Sequence, residues 1–129
     1  MAKSETNFYK LIKEKLKEFN PIRIETITIN GFPDLILFNE NKETIFVEAK
    51  VCQRCNVFQS LSPHQKAFHH KYSKIMKHLY ILQRSEEESS FFLYRSSDHN
   101  FLLPKANLEP LATVRFRASW CAFKTHLNS

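Results

Sequence analysis

Residues 31–50 read GFPDLILFNENKETIFVEAK. Two runs rich in Ile, Val, Phe and Leu, Phe32–Phe38 and Thr44–Val51, flank the turn formers Asn39-Glu40-Asn41-Lys42, which predicts a strand, a hairpin turn and a second strand. With the loop centred on Asn41, positions whose numbers add up to 82 oppose one another, so Asp34 lies across from Glu48 with Cβ atoms roughly 5 Å apart. Residues two apart on a strand share a face, so Glu48 and Lys50 project together and Ala49 faces away. Like charges directly opposite one another destabilise a sheet, and a divalent cation with oxygen ligands offsets the repulsion. Phe46 shares the face of Glu48, and Ile36 and Phe38 that of Asp34. The two acids therefore stand at the end of a half-buried face, which is more like a pocket than a solvated surface.

Upstream, Phe8, Leu11, Ile12, Leu16 and Phe19 recur at helical spacing, predicting an amphipathic helix over 4–19 with Ser4 as N-cap and Asn20-Pro21 as its end. Glu5 is placed on the buried stripe of that helix and is the candidate third carboxylate. Its rivals are Glu14, which falls off the stripe, and Glu25 on a predicted strand Ile22–Asn30. Such a cluster suits Mg²⁺ or Mn²⁺, hard ions that also bind phosphate oxygens. Lys50 beside the metal is placed to orient a water nucleophile or stabilise charge developing on a phosphate. Downstream, Leu61-Ser62-Pro63-His64-Gln65 opens a second helix running to about Lys77, with Ser at the N-cap and Pro at the first helical position. His78–Gln83 and Phe91–Arg95 read as strands. Phe101–Leu103, Thr113–Arg117 and Ser119–Phe123 read as strands or short helices.

The chain has 129 residues with 43% hydrophobic content, enough for one α/β domain that buries about 68% of its unfolded surface. Its single glycine, Gly31, excludes glycine-rich phosphate loops, and with them P-loop and dinucleotide enzymes and any such nucleotide cofactor. The net charge of +6 is concentrated. Residues 51–84 carry six basic side chains and no acid, directly after residues 31–50 with four acids and two bases. A negative patch beside a positive one is what a metal-dependent site acting on a polyanion needs. Three cysteines, no apolar run long enough to span a bilayer and no signal-like N-terminus lead to an expectation of a reducing cytoplasm and no membrane span.

Gly31-Phe32-Pro33-Asp34-Leu35, a hydrophobic strand ending in Glu48-Ala49-Lys50, and Ser62-Pro63-His64-Gln65 opening a helix together resemble the PD-(D/E)XK nuclease superfamily. Within it they resemble the VRR-NUC branch, with phage and archaeal Holliday-junction resolvases as near relatives. The resemblance covers residues 5 to about 84. It implies a restriction-endonuclease-like core, a mixed central β-sheet flanked by helices in the order α-β-β-β-α-β, with residues 96–129 as an extension. It implies that Asp34, Glu48 and the carbonyl of Ala49 bind metal, that Lys50 serves catalysis, that Gln65 contacts Lys50 or the phosphate, and that Glu5 is the first-helix acid. The implied activity is a Mg²⁺-dependent endonuclease leaving a 5′-phosphate, acting as a homodimer on branched DNA in a bacterial or phage-infected cell. A flap, nicking or restriction-type enzyme, or a nuclease-like DNA-binding or assembly protein without catalysis, are the alternatives.

Individual residues carry competing readings. Ser62-x-x-Gln65 is also a capping box, in which glutamine serves the helix alone. Cys52 and Cys55 form a Cys-x-x-Cys pair, but the spacing to His64 and His69 fits a zinc site poorly. Arg54, Lys66, His69, Lys71 and Lys74 are candidate phosphate contacts, which position a duplex without reading its sequence. Phe101, Leu102, Leu103, Trp120 and Phe123 form a candidate dimer interface.

Overall fold

The computed structural model describes residues 3–25, 28–52, 60–102 and 108–129. The elements are α1 (Lys3–Lys15), a 3₁₀ turn (Lys17–Phe19), β1 (Ile22–Arg23), β2 (Leu35–Phe38), β3 (Thr44–Cys52), α2 (Pro63–Tyr72), β4 (Leu79–Ser85), β5 (Ser90–Arg95), a 3₁₀ turn (Ser96–Asp98), β6 (Ala112–Arg115) and α3 (Cys121–Leu127). Among the described residues six strands form one sheet in sequential order β1 to β6. All neighbours are antiparallel except β3 and β4, which run parallel over Phe46↔Leu79 to Cys52↔Ser85. A parallel pair needs a long crossover, and the segment containing α2 supplies it.

The sheet separates two apolar layers. Phe8 and Ile12 of α1 with Leu16 just after it, and Phe123 and Leu127 of α3 with Trp120 just before it, pack with Ile45, Val47, Tyr80, Leu82, Phe91 and Leu93. On the opposite face Leu61, Ile81, Tyr94 and Phe101 form a second cluster. Phe32 bridges that face to α2, with ring centroids 5.7 Å from Phe46 and 5.4 Å from Phe68.

The hairpin pairs as expected, with Leu35↔Val47, Ile36↔Phe46, Leu37↔Ile45 and Phe38↔Thr44. Asn39 fixes its turn by accepting the N–H groups of Asn41 (3.0 Å) and Glu43 (2.9 Å) on its side-chain oxygen. Its amide donates to the Leu127 carbonyl at 3.2 Å, tying the hairpin to the end of α3.

Several boundaries differ from expectation. Ser4 lies inside the first turn of α1 rather than ahead of it. Among the described residues the strand expected over Ile22–Asn30 is only Ile22–Arg23, because its partner β2 begins only at Leu35; the pairing ends where the Asp34 carbonyl accepts from Ile24 N at 2.7 Å. β2 starts at Leu35 rather than Phe32 because the continued register sets Pro33 opposite Ala49, and proline has no N–H for the ladder. α2 stops at Tyr72, short of Lys77, because the chain must turn into β4, where the His78 carbonyl accepts from Phe46 N at 3.0 Å.

The C-terminal part is integral to the domain. Thr113 lies in β6 and the stretch around Ser119–Phe123 leads into α3, where Trp120, Phe123 and Leu127 recur at helical spacing on the core side. This corrects the dimer-interface expectation: Phe101, Trp120 and Phe123 are 3%, 2% and 0% exposed within the chain itself. Leu102 is exposed, and Leu103 lies outside the described residues. No helix among the described residues is long and apolar enough to cross a membrane.

Candidate functional site

Asp34 stands where the backbone ladder between β2 and β3 gives out. Its Oδ1 accepts the Ala49 N–H at 2.9 Å, so a side chain continues the pairing to β3 where the β2 backbone stops. Its Oδ2 accepts from the hydroxyl of Tyr9, on α1. Glu48 is 2% exposed, and its Oε1 is buried with no hydrogen-bond partner in the structure. Burial, then the charge of Asp34, pushes the Glu48 carboxyl up to about 9, against the opposing pull of Lys50. Burial likewise raises Asp34, opposed by the bonds from Tyr9, Ala49 and Glu48. Two acids this close in a desolvated seam retain a proton near neutrality or must be met by a cation.

Gly31 sets the approach of the chain to this seam. Its φ is +80°, and a Cβ there would stand 2.2 Å from the His64 carbonyl oxygen and 2.9 Å from Gln65 N. Glycine thus permits both the left-handed turn and the seating of that turn against the start of α2. An open cavity of about 360 Å³ lies here, lined by Glu25, Asn30, Gly31, Ser62, His64 and Gln65 among others.

Gln65 is held in the capping box. Its Oε1 accepts from Ser62 N at 2.8 Å, while its own N–H donates to Ser62 Oγ at 3.1 Å. The side chain thereby has the structural role, and its placement at the cavity lining leaves a part in ligand contact open to its amide nitrogen.

Lys50 is half-buried, two residues beyond Glu48 on the same face. His69 lies close enough for the Lys50 charge, after burial, to hold the imidazole down at about 4. This corrects the expectation that His69 is a phosphate contact: it is 0% exposed, with Nδ1 2.9 Å from Ser96 Oγ and its ring against Phe101. It packs inward because α2 is sandwiched between the sheet and the turn at 96–102.

The remaining expected residues divide. Glu5 is exposed and not on the buried stripe, a correction that follows from Phe8 and Ile12 defining the buried side of α1. Glu14 and Glu25 are also exposed, and Glu25 pairs with Arg23 at 3.3 Å. Among the described residues no group of three or more His, Cys, Asp or Glu side chains is positioned to hold a metal. What α1 brings to Asp34 is Tyr9, which sequence reading missed. Its signal was a phenol at the border of the apolar stripe, one turn after Glu5.

Lys66 is half-buried and Lys71 exposed on α2, and Lys74 is exposed in the turn that follows it. Lys74 borders a cavity of about 460 Å³ with His70, Ser73 and His99, which shares no residue with the acidic seam. Cys52 is buried, while Arg54 and Cys55 lie outside the described residues.

Comparison of the chain with protein-family models, curated proteins and solved structures finds no significant match to any of them.

Proposed function

We propose that the chain is a metal-dependent, structure-selective DNA endonuclease of the PD-(D/E)XK kind, built on a restriction-endonuclease-like core and acting on branched DNA as Holliday-junction resolvases do. The observation that carries this reading is the unpartnered, buried Oε1 of Glu48 beside Asp34, with Lys50 two residues further along β3. A buried acceptor with no donor is costly, and a cation satisfies it.

The donor set fits Mg²⁺ or Mn²⁺. Such an ion commonly takes one or two carboxylates and keeps water and phosphate oxygens in its remaining positions. Asp34 and Glu48 would supply the carboxylates. The Ala49 carbonyl would be a third donor, since Pro33 has no N–H to offer it. The bound ion supplies Lewis acidity toward a phosphate oxygen and acidifies water. The protein's own part is to hold Asp34 with two hydrogen bonds, to keep the seam desolvated, and to hold the Lys50 ammonium near the charge that develops on the phosphate. The homodimer belongs to this reading as well, with its surface elsewhere than Phe101, Trp120 and Phe123.

Incubation with linear, flap and four-way DNA, with and without Mg²⁺ or Mn²⁺, tests the reading. Cleavage of branched DNA by the native chain and its loss in Asp34→Asn and Glu48→Gln is the expected result. Intact DNA in every lane, or equal cleavage by the variants, refutes it. Junction binding without cutting would instead favour the non-catalytic nuclease-like protein.

A further inference from the structure

A second groove, with a cavity of about 250 Å³, lies between α1 and the β1–β2 edge and meets the acidic seam at Tyr9. Thr6, Tyr9, Lys10 and Lys13 line it at helical positions i, i+3, i+4 and i+7, so they form one stripe along α1 beside the buried one. Arg23 closes the far wall and Leu35 contributes apolar floor. The Arg23 guanidinium lies 4.5 Å from the centre of the Tyr9 ring, a cation–π contact that holds both side chains. Lys10 and Lys13 are exposed and form no ion pair among the described residues. Among the described residues no acidic side chain lines the groove, and Glu25 meets it only through its ion pair with Arg23 at 3.3 Å.

Tyr9 belongs to both sites. Its ring forms groove wall while its hydroxyl donates to Asp34, one residue before Leu35 of the groove floor. A polyanion drawn to a carboxylate pair meets repulsion there, and cations one side chain away offset it. We propose that this groove is a track for the sugar–phosphate backbone of a DNA strand, which delivers the strand to the Asp34–Glu48 seam. The proposal rests on the nuclease reading and names where its substrate strand runs. Phosphates pair with Lys10 and Lys13, next to the Arg23 wall, and bases point outward, so the track holds DNA without reading its sequence.

The test is binding of fluorescein-labelled four-way and single-stranded DNA by the full chain in EDTA, read by anisotropy over a range of KCl concentrations. Lys10→Gln/Lys13→Gln is compared with the native chain and with Lys71→Gln/Lys74→Gln, and circular dichroism checks that each is folded. Two lost phosphate contacts are expected to lower the slope of log K against log salt by about 2 on duplex arms and weaken binding at least tenfold. Three results overturn the track: an unchanged slope in Lys10→Gln/Lys13→Gln, an equal loss in Lys71→Gln/Lys74→Gln, or displacement of the DNA by polyglutamate as readily as by unlabelled DNA. Because binding is read without metal, the two proposals fail separately. A chain that binds through Lys10 and Lys13 yet never cuts retains the track and loses the nuclease. A chain that cuts with an unaltered slope in Lys10→Gln/Lys13→Gln does the reverse.

Discussion

Glu48→Gln is expected to make the metal-free protein more stable on the alkaline side of neutrality. In the folded chain Glu48 holds its proton up to about pH 9, whereas the unfolded chain releases it near 4.5. Its folded value is raised, so this contribution is fully present below pH 4.5 and is lost as pH rises toward 9. Each pH unit in that interval costs about 1.4 kcal/mol, so between pH 6.5 and about 8.5 the native chain loses about 3 kcal/mol, or roughly 10 °C in Tm. Glutamine keeps the shape and has no proton to lose, so the variant declines less over the same interval, its remaining slope coming from Asp34, whose carboxyl burial also raises. Below pH 6.5 the buried, neutral His69 acts in the opposite direction. Its folded value is depressed to about 4, so stability falls as pH drops from 6.5 toward 4. In the native chain that fall is offset by the Glu48 gain, and in Glu48→Gln it stands uncovered. Calorimetric unfolding in EDTA across this range reads all of it. The same downward slope above pH 6.5 in both proteins would show that Glu48 is ionised in the fold, and would refute the reasoning.

Gly31→Ala is expected to cost at least about 2 kcal/mol, since the left-handed backbone alone costs 1–2 for a residue with a Cβ and this Cβ meets the His64 carbonyl as well. Urea unfolding measures it, and an unchanged midpoint would contradict the packing of that turn on α2. Tyr9→Phe is expected to keep the fold, lower stability by about 1–2 kcal/mol, and raise the Asp34 carboxyl further, because a bond that lowers it is gone. Carbon-detected carboxyl titration by NMR reads the shift; a titration identical to that of the native chain would remove Tyr9 from the site.

The hairpin was legible because its information is local. Four turn formers and a period of two fix the pairing sum, and the structure has that sum. Glu5 and Tyr9 lie one turn apart on α1, and helical spacing alone cannot tell which of them meets Asp34; burial of Phe8 and Ile12 against the sheet decides it. His69 was read with the lysines around it because nothing in α2 announces that the turn at 96–102 covers it. The aromatic residues of α3 were visible as apolar, but only the hydrogen bond from Asn39 to Leu127 and the closing of the core explain why they face inward. The capping box was legible to the atom, and its formation explains why Gln65 is at the cavity without being free in it.

The single parallel pairing has a consequence for the order of assembly. β2 and β3 can zip from their own turn, over a few residues of chain, while Asp34 and Glu48 are still hydrated. β4 reaches β3 only after the crossover carrying α2 has closed, a loop that is slow to form because its ends are far apart in sequence. The helix and the Ser96 turn that enclose Lys50 and His69 arrive with that late step. By this topology the two acids lose their water when the crossover closes, so the proton or cation that neutralises them has to be in place as that step completes.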